Sequence, residues 1–190
     1  KISLIHDALI MGLQDYFGKL GLKKAILGLS GGIDSAVTAV MATRALGKEN
    51  VRVVLMPSAY SSSHSVDDAK ALAENLGIQY DLIPIVAPYD AFNTLLTDVM
   101  EGKPFDVTEE NIQARCRAII LMAISNKHGN ILLNTTNKSE MSVGYGTLYG
   151  DLAGGLSVLA DIYKTDIYLL ADYINKDQEV IPANSINKPP

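Results

Sequence analysis

The chain has 190 residues, of which 48% are hydrophobic and 19% charged, and its 16 Lys and Arg against 21 Asp and Glu give a formal net charge of −5. This composition predicts one folded domain with a sizeable core and excludes wholesale disorder. The acidic balance argues against nucleic acid as a partner, because binding phosphate backbones requires surplus Lys and Arg. We expect no membrane partner, since no apolar run reaches the roughly 18 residues of a membrane span. A single cysteine, Cys116, favours the reducing cytoplasm.

Helices and short apolar strands alternate along the predicted chain. The spacing of apolar residues, glycines and prolines predicts, in chain order, a helix at 5–20, a strand at 25–29, a helix at 36–46, a strand at 51–56, a helix at 65–76, a strand at 80–86, helices at 89–100 and 110–127, a strand at 131–133 and a helix at 165–174. Ser65 is expected to be the N-cap of the third helix. This alternation predicts an α/β fold, a doubly wound parallel sheet flanked by helices, with ligands at the carboxyl ends of the strands.

The segment that follows the first strand carries the clearest chemical signal. It reads Gly28-Leu29-Ser30-Gly31-Gly32-Ile33-Asp34-Ser35. Adjacent glycines let consecutive N–H groups converge on one oxygen, and the next helix adds free amides and the positive end of its dipole. Asp34 would repel a bare phosphate, so its presence predicts a Mg²⁺ ion that bridges carboxylate and phosphates. The spacing is neither Walker A nor Gly-x-Gly-x-x-Gly. The alternative is a plain glycine-rich turn capped by Ser and Asp.

Three later segments add polar groups that could bind a ligand, and each also has a simpler structural explanation. Asn111 and Arg115 lie four residues apart on one helical face, where an Arg can bind phosphate or carboxylate, although a solvated helix start has the same pattern. The polar run from Asn134 to Glu140 suits a nucleotide and a metal, or a turn with an N-cap. The glycine-rich run from Gly144 to Gly155 implies close backbone approach to a ligand, or a flexible loop.

The run from Ser30 to Ser35 resembles the pyrophosphate loop of the N-type ATP pyrophosphatases, which cleave ATP between its α and β phosphates and adenylate a substrate. Together with the three later segments, in this order and spacing, the chain resembles NAD synthetases over nearly its whole length. The run from Thr136 to Asp151 resembles the synthetase domain of the glutamine-dependent type in particular. The resemblance implies an adenine nucleotide alpha hydrolase-like fold. It also implies a ligase of NAD biosynthesis that uses ATP and Mg²⁺ to convert deamido-NAD to NAD through an acyl-adenylate, releasing AMP and pyrophosphate.

The resemblance also implies roles for individual residues. The expected ATP-binding residues are Gly28, Ser30, Gly31, Gly32, Ile33, Asp34, Ser35, Thr135 and Lys164. Asp34 and Lys164 are the expected catalytic residues, and Asp34 and Glu140 the expected Mg²⁺ ligands. The residues expected to bind deamido-NAD are Asn111, Arg115, Glu140 and Asp151. The loop at 57–63 would receive the adenosine of ATP.

Two positions depart from the ammonia-dependent members of the family. Leu148 stands where those members have a Lys, and Gly155 stands where they have an acidic residue. Some of their substrate contacts therefore cannot be carried over.

The source of nitrogen is expected to lie outside this chain. Glutamine hydrolysis needs an activated thiol, whereas Cys116 falls mid-helix, where packing is its expected role. We expect residues 1–190 to form one synthetase domain of a longer protein, with an N-terminal glutaminase domain and a C-terminal segment missing. Ammonia would come directly or from that glutaminase domain. The resemblance also implies a homodimer or larger homo-oligomer, with the helix from Glu110 as a possible contact surface.

Two other functions remain open from the sequence. One is another N-type synthetase, such as GMP synthetase, which a substrate panel would distinguish. The other is an α/β module that binds ATP without turnover. The placed Asp34, Glu140 and Lys164 argue against a passive binder. No histidine shows metal-ligand spacing, and His64 is expected to be a turn residue.

Overall fold

The computed structural model describes residues 1–188, so residues 189 and 190 of the predicted domain lie outside the described residues. A parallel sheet lies between two helical layers. The elements in chain order are α1 Ile2–Leu20, β1 Ala25–Gly28, α2 Ile33–Leu46, a 3₁₀ turn Lys48–Asn50, β2 Val51–Leu55, α3 Ser63–Leu76, β3 Gln79–Leu82, α4 Val86–Leu96, α5 Val107–His128, β4 Ile131–Asn134, α6 Lys138–Val143, β5 Leu156–Ser157, α7 Lys164–Ile174 and α8 Ala183–Asn187.

The sheet has five strands in the order β3-β2-β1-β4-β5, and every neighbouring pair is parallel. Ala25 of β1 lies opposite both Val51 of β2 and Ile131 of β4. The chain adds strands outward on one side of β1 and then returns to add β4 on the other side. The strand order therefore reverses between β1 and β4, which opens a crevice at their carboxyl ends. The predicted doubly wound α/β fold is confirmed.

The central strands are buried on both faces, which explains their continuous apolar sequences. Leu27 packs into the larger core, with Phe17 of α1, Met41 of α2 and Leu170 of α7. Its neighbour Ile26 points to the other face. There a smaller core comprises Ile26, Val54, Met56, Ile85, Cys116 and Leu132. Because α5 covers that second face, it stands directly beside the crevice.

The second helical layer leaves large apolar side chains exposed. On α4, on α5 and in the segment between them these are Val86, Phe92, Leu95, Val99, Phe105, Val107, Ile119 and Met122. Within residues 1–188, every helix is too short or too polar to span a bilayer. The exposed layer is therefore a candidate surface for contact with another protein chain.

Several element boundaries differ from the prediction for local reasons. The N-cap of α3 is Ser62, whose hydroxyl accepts from the Ser65 N–H at 3.2 Å, so the prediction of Ser65 as the cap was wrong. The third strand ends at Leu82, and the residues after it already lead into α4. Asp106 begins α5 earlier than predicted, because its side chain accepts from the Thr108 N–H at 2.7 Å.

Candidate nucleotide-binding site

A cavity of about 650 Å³ opens at the carboxyl ends of β1, β2 and β4. Strand ends form its apolar floor, and one side of α5 forms a wall. Polar groups from the loops that follow β1, β2 and β4 face it from the other side. The lining includes Gly28, Ser30, Ser35, Val54, Leu55, Tyr60, Ser61, Ser62, Ala114, Arg117, Leu121, Leu132, Leu133, Thr135 and Asp151. An apolar slot edged with hydroxyls is typical of a site for a nucleoside.

Gly28 keeps the floor of this cavity open. A Cβ atom there would lie 3.2 Å from Met56 Cε and 3.4 Å from Leu121 Cδ1. A larger side chain would therefore fill space that a flat ring could occupy. Gly28 was expected to bind ATP, and this geometry lets it leave room at the floor without offering a side-chain contact.

The loop from Ser30 to Ser35 holds its shape through its own hydroxyls. Ser30 Oγ accepts from the Gly32 N–H at 3.2 Å and lies 3.1 Å from Ser35 Oγ, which donates to the Gly32 carbonyl at 3.0 Å. Gly32 is the N-cap of α2 and supplies no side-chain acceptor, so the amides of the first helical turn remain available to an anion. Ile33 is buried in the larger core. It can therefore contact a nucleotide only through its main chain.

A smaller cavity of about 170 Å³ adjoins the first. Its lining residues are Ser30, Gly32, Asp34, Ser35, Thr135, Thr136, Glu140, Tyr145 and Asp151. Ser30, Ser35, Thr135 and Asp151 line both cavities. One continuous site therefore has an apolar compartment and an acidic compartment, which meet at the glycine-rich loop.

Asp34 and Lys164, the two predicted catalytic residues, form an ion pair. Lys164 Nζ donates to Asp34 Oδ2, and Asn137 Nδ2 donates to Asp34 Oδ1 at 3.0 Å. Lys164 is the first residue of α7, and its N–H donates to Ser139 Oγ at 3.1 Å. The carboxylate at the start of α2 is thus joined to the start of α6 and the start of α7.

Glu140 completes the acidic compartment from the first turn of α6. It belongs to a capping box, in which its Oε2 accepts from the Asn137 N–H at 2.9 Å and its own N–H donates to Asn137 Oδ1 at 3.0 Å. Burial raises the pKa of the Glu140 carboxyl group. The negative charges of Asp34 and Asp151 raise this pKa further, against the Asn137 hydrogen bond and the Lys164 charge. A cation between these carboxylates would relieve their repulsion.

The donor set fits a magnesium ion that also binds phosphates. Within residues 1–188 no group of three or more His, Cys, Asp or Glu could hold a metal ion on protein ligands alone. Mg²⁺ in nucleotide sites typically takes one or two carboxylates and completes its shell with phosphate oxygens and water. Asp34 and Glu140, which line the same small cavity, supply that number of carboxylates.

The predicted residues for deamido-NAD fall into two groups. Asn111 Oδ1 accepts from Thr147 Oγ1 at 2.7 Å, and Arg115 Nε donates to the Leu148 carbonyl at 3.2 Å. Both side chains hold the glycine-rich loop against α5, and neither lines the two cavities. Asp151 lines both cavities, and the Thr147 N–H donates to its Oδ1 at 2.5 Å.

The structure adds a site residue that the sequence analysis did not assign. Arg117 lines the large cavity, two positions beyond the predicted Arg115. Tyr60, which belongs to the loop expected to receive the adenosine, lines the same cavity and packs edge-on against Phe105, with ring centroids 6.2 Å apart. The sequence signal for Arg117 was the Arg-x-Arg spacing, which turns the second guanidinium to a different side of the helix. His64 lies in the first turn of α3, exposed and outside both cavities.

Comparison with known proteins identifies the family of this site. The family model described as NAD synthase matches residues 5–190. This chain belongs to the NAD synthase family. The predicted resemblance to NAD synthetases is therefore confirmed, and the GMP synthetase alternative falls away.

Relatives and solved structures agree with this membership. The chain is 53% identical over 185 residues to the glutamine-dependent NAD(+) synthetase of Thermotoga maritima, and the match covers 96% of the chain and 32% of that relative. It matches the glutamine-dependent NAD+ synthetase of Acinetobacter baumannii in complex with ADP with a TM-score of 0.96 at 46% identity, covering 98% of the chain and 36% of the other. The NH3-dependent NAD synthetase of Campylobacter jejuni matches with a TM-score of 0.88 at 35% identity, over 99% of the chain and 77% of the other.

The chain spans about a third of the length of the curated glutamine-dependent NAD synthetases it matches. It spans 77% of the Campylobacter jejuni ammonia-dependent structure. The similarity therefore concerns one part of the glutamine-dependent relatives.

Proposed function

We propose that this chain is the ATP-dependent synthetase part of an NAD synthetase, which converts deamido-NAD to NAD. One observation carries the proposal: an apolar cavity and an acidic cavity meet at the Ser30 to Ser35 loop in a member of the NAD synthase family. A nucleotide and its leaving pyrophosphate need two such compartments, side by side at a loop that leads into the available amides of a helix start.

ATP would bind across both compartments. Its adenosine fits the large cavity over Gly28, beside the loop at 57–62, and its phosphates lie along the amides and hydroxyls of Ser30 to Ser35. Thr135 lines both compartments and offers its hydroxyl where they meet. The relative from Acinetobacter baumannii, whose structure is described as a complex with ADP, supports an adenine nucleotide here.

Asp34 and Glu140 would hold Mg²⁺ together with phosphate oxygens, and the ion would supply positive charge to the departing pyrophosphate. Lys164 places a further positive charge beside Asp34. The amides at the start of α2 stabilise the same developing charge. This chain therefore contributes charge neutralisation and positioning, and it needs no side-chain nucleophile.

The reaction would proceed in two balanced steps. A carboxylate oxygen of deamido-NAD attacks the α-phosphorus, the bond to the bridging oxygen breaks, and pyrophosphate leaves with that electron pair. Ammonia then attacks the acyl carbon, AMP leaves with the electron pair of the broken acyl–oxygen bond, and the nitrogen loses one proton to solvent, which gives the amide. We assign deamido-NAD to Asp151 and Glu140 at the cavity, and to Asn111 and Arg115 through the loop that they hold.

The nitrogen donor would be ammonia, free or released by a glutaminase part of the longer protein. Burial raises the pKa of the Cys116 thiol, although the neighbouring Arg117 opposes the shift. A buried thiol with a raised pKa is a poor nucleophile. The relatives are named glutamine-dependent NAD(+) synthetases, which supports a separate glutaminase part.

We also propose that the exposed apolar layer on α4 and α5 pairs with a second copy of this chain.

A coupled assay tests the proposed function. The protein that carries this chain at its natural length is incubated with ATP, Mg²⁺, deamido-NAD and ammonia, and NAD, AMP and pyrophosphate are quantified. We expect the three products in equal amounts, and Asp34→Asn to lower their rate at least about a hundredfold through lost charge stabilisation. ATP binding without pyrophosphate release would instead identify a passive nucleotide-binding module.

A further inference from the structure

The wall of the large cavity contains a positively charged side chain, that of Arg117, which is not among the predicted site residues. Arg117 lies in the middle of α5 and is the one basic residue among those that line this cavity. Its Nε donates to the Met56 carbonyl at 3.1 Å, at the end of β2. This bond fixes the plane of the guanidinium beside the carboxyl ends of the strands. The side chain is thus built into the site.

Within the described part of the chain, Arg117 forms no salt bridge. Among the side chains described in residues 1–188, no carboxylate lies at ion-pair distance from it, and the bond to Met56 is its single hydrogen bond. A guanidinium has five N–H donors, so the four on its two terminal nitrogens are left for a ligand. Burial lowers the pKa of Arg117, yet an arginine keeps its charge at neutral pH. A partly buried charge of this kind is stabilised when a ligand brings the opposite charge.

The position of Arg117 indicates which part of a nucleotide it faces. The two cavities meet at Ser30, Ser35, Thr135 and Asp151. Arg117 and Asp151 line the same large cavity, and Asp151 also lines the acidic cavity, so the guanidinium shares the space that leads to this junction. With the adenosine over the apolar floor and the pyrophosphate in the acidic cavity, the group at the junction is the α-phosphoryl group.

We propose that Arg117 binds the α-phosphate of the bound nucleotide. This inference rests on the proposed function, because it takes the orientation of ATP from it. The α-phosphoryl group stays anionic in ATP, in the acyl-adenylate and in AMP. A guanidinium can bind two of its oxygens at once, which also orients the phosphorus toward the attacking carboxylate.

Binding of nucleotide fragments tests this assignment. We compare the unmodified protein at natural length with Arg117→Met and Arg117→Lys, and measure Kd for AMP, adenosine and pyrophosphate by calorimetry. Met keeps the length and packing of the side chain and removes its charge. Lys127→Gln, an exposed change on the same helix, is the matched control for lost charge.

The expected pattern is selective. Arg117→Met binds AMP about 10- to 100-fold more weakly, which is the effect of losing hydrogen bonds to a charged group. Its affinities for adenosine and pyrophosphate stay within about twofold of the unmodified protein. The AMP affinity of Arg117→Lys lies between those of the unmodified protein and Arg117→Met. Lys127→Gln binds all three fragments normally. The ligand-free Arg117→Met protein unfolds at the same temperature or higher, because an unpartnered charge has been removed.

Other outcomes overturn the assignment. Unchanged AMP affinity in Arg117→Met rejects it, and equal losses for AMP and adenosine show that Arg117 stacks on the base instead. Weaker binding of deamido-NAD with normal AMP binding assigns Arg117 to the carboxylate of that substrate and also rejects the α-phosphate. If Arg117→Met does not fold, normal AMP affinity in Arg117→Lys decides against the proposal. An unmodified protein that binds no AMP contradicts the proposed function itself, which is a distinguishable result.

Discussion

Gly31 shows how closely the loop from Ser30 to Ser35, which we propose binds phosphates, packs against the start of α3. Its φ is +78°, and a Cβ atom there would lie 2.3 Å from the main-chain oxygen of Ser65. Both the backbone angle and the contact therefore require glycine. We expect Gly31→Ala to destabilise the protein by roughly 1–3 kcal/mol and to weaken ATP binding. Urea unfolding and calorimetry measure the two effects.

A glycine elsewhere in the chain supplies the control for that substitution. Gly12 lies within the helix α1, and a Cβ atom added there would meet nothing within 4 Å. Gly12→Ala should stabilise the protein by about 0.5–1 kcal/mol, because alanine favours a helix more than glycine does. Equal stabilities of the two alanine variants would contradict the close packing at Gly31.

Glu140 links ligand binding to pH-dependent stability. Because the pKa of Glu140 is raised by burial and by the charges of Asp34 and Asp151, the folded protein holds this proton more tightly than the unfolded chain. The contribution to stability is complete below the unfolded pKa, about 4.3, and is lost as the pH rises through the folded pKa. Glu140→Gln stays neutral at every pH. We expect it to match the unmodified protein at acid pH and to be more stable at pH 7 in EDTA.

The measurement for Glu140 is the free energy of unfolding as a function of pH. Glu109→Gln, at the equivalent capping position of α5, is the matched control and should show no such gain, because Glu109 lies outside the acidic cavity. The gain in stability of Glu140→Gln should be accompanied by weaker binding of Mg²⁺ with ATP. A stability difference that shrinks as the pH rises would have the wrong sign and would refute this explanation.

Residues that are close in sequence were easiest to place together in one site. Ser30, Asp34 and Ser35 lie within six residues and line the same acidic cavity, while their phosphate-binding role stays a prediction. Asn111 and Arg115, whose role at the substrate also stays a prediction, form hydrogen bonds with Thr147 and Leu148 of a distant loop. These contacts join residues more than thirty positions apart, and they depend on how α5 packs against the glycine-rich loop. The spacing of residues in the sequence does not predict that packing.

At the scale of elements, the outer faces of α4 and α5 carry the proposed dimer contact. Ile119 on α5 is 58% exposed and Leu95 on α4 is 76% exposed. A glutamate in place of Ile119 would bury a charge in a dimer interface, so Ile119→Glu should lower the sedimenting mass from dimer to monomer at micromolar concentration. Leu4→Glu, on the opposite helical layer and 74% exposed, is the control. A monomeric unmodified protein, or dissociation by Leu4→Glu alone, would reject this surface.

Element boundaries were predicted well where a single signal marks them. Gly77 follows α3 and Gly129 follows α5 in left-handed conformations, close to the predicted ends. The start of α5 was missed because the capping box of Asp106 and Glu109 precedes the apolar pattern. The two-residue strand β5 is too short to show alternation, and only its pairing with β4 defines it.

For the whole molecule, topology explains why residues from distant segments share one site. The strand order reverses between β1 and β4, so the loops after both strands open toward the same crevice. Asp34 and Lys164, 130 positions apart, meet there as an ion pair. The alternation of elements was enough to predict this architecture, because parallel strands joined by helices have few allowed arrangements. The side-chain partners within the crevice required the structure.

The central claim is that this site activates a carboxylate as an acyl-adenylate. Exchange of labelled pyrophosphate into ATP, measured without ammonia or glutamine, tests it most directly because only reversible adenylation returns the label. We predict exchange that requires both Mg²⁺ and deamido-NAD and that is lost in Asp34→Asn. Exchange that proceeds without deamido-NAD, or no exchange while NAD is still formed when ammonia is added, would contradict it.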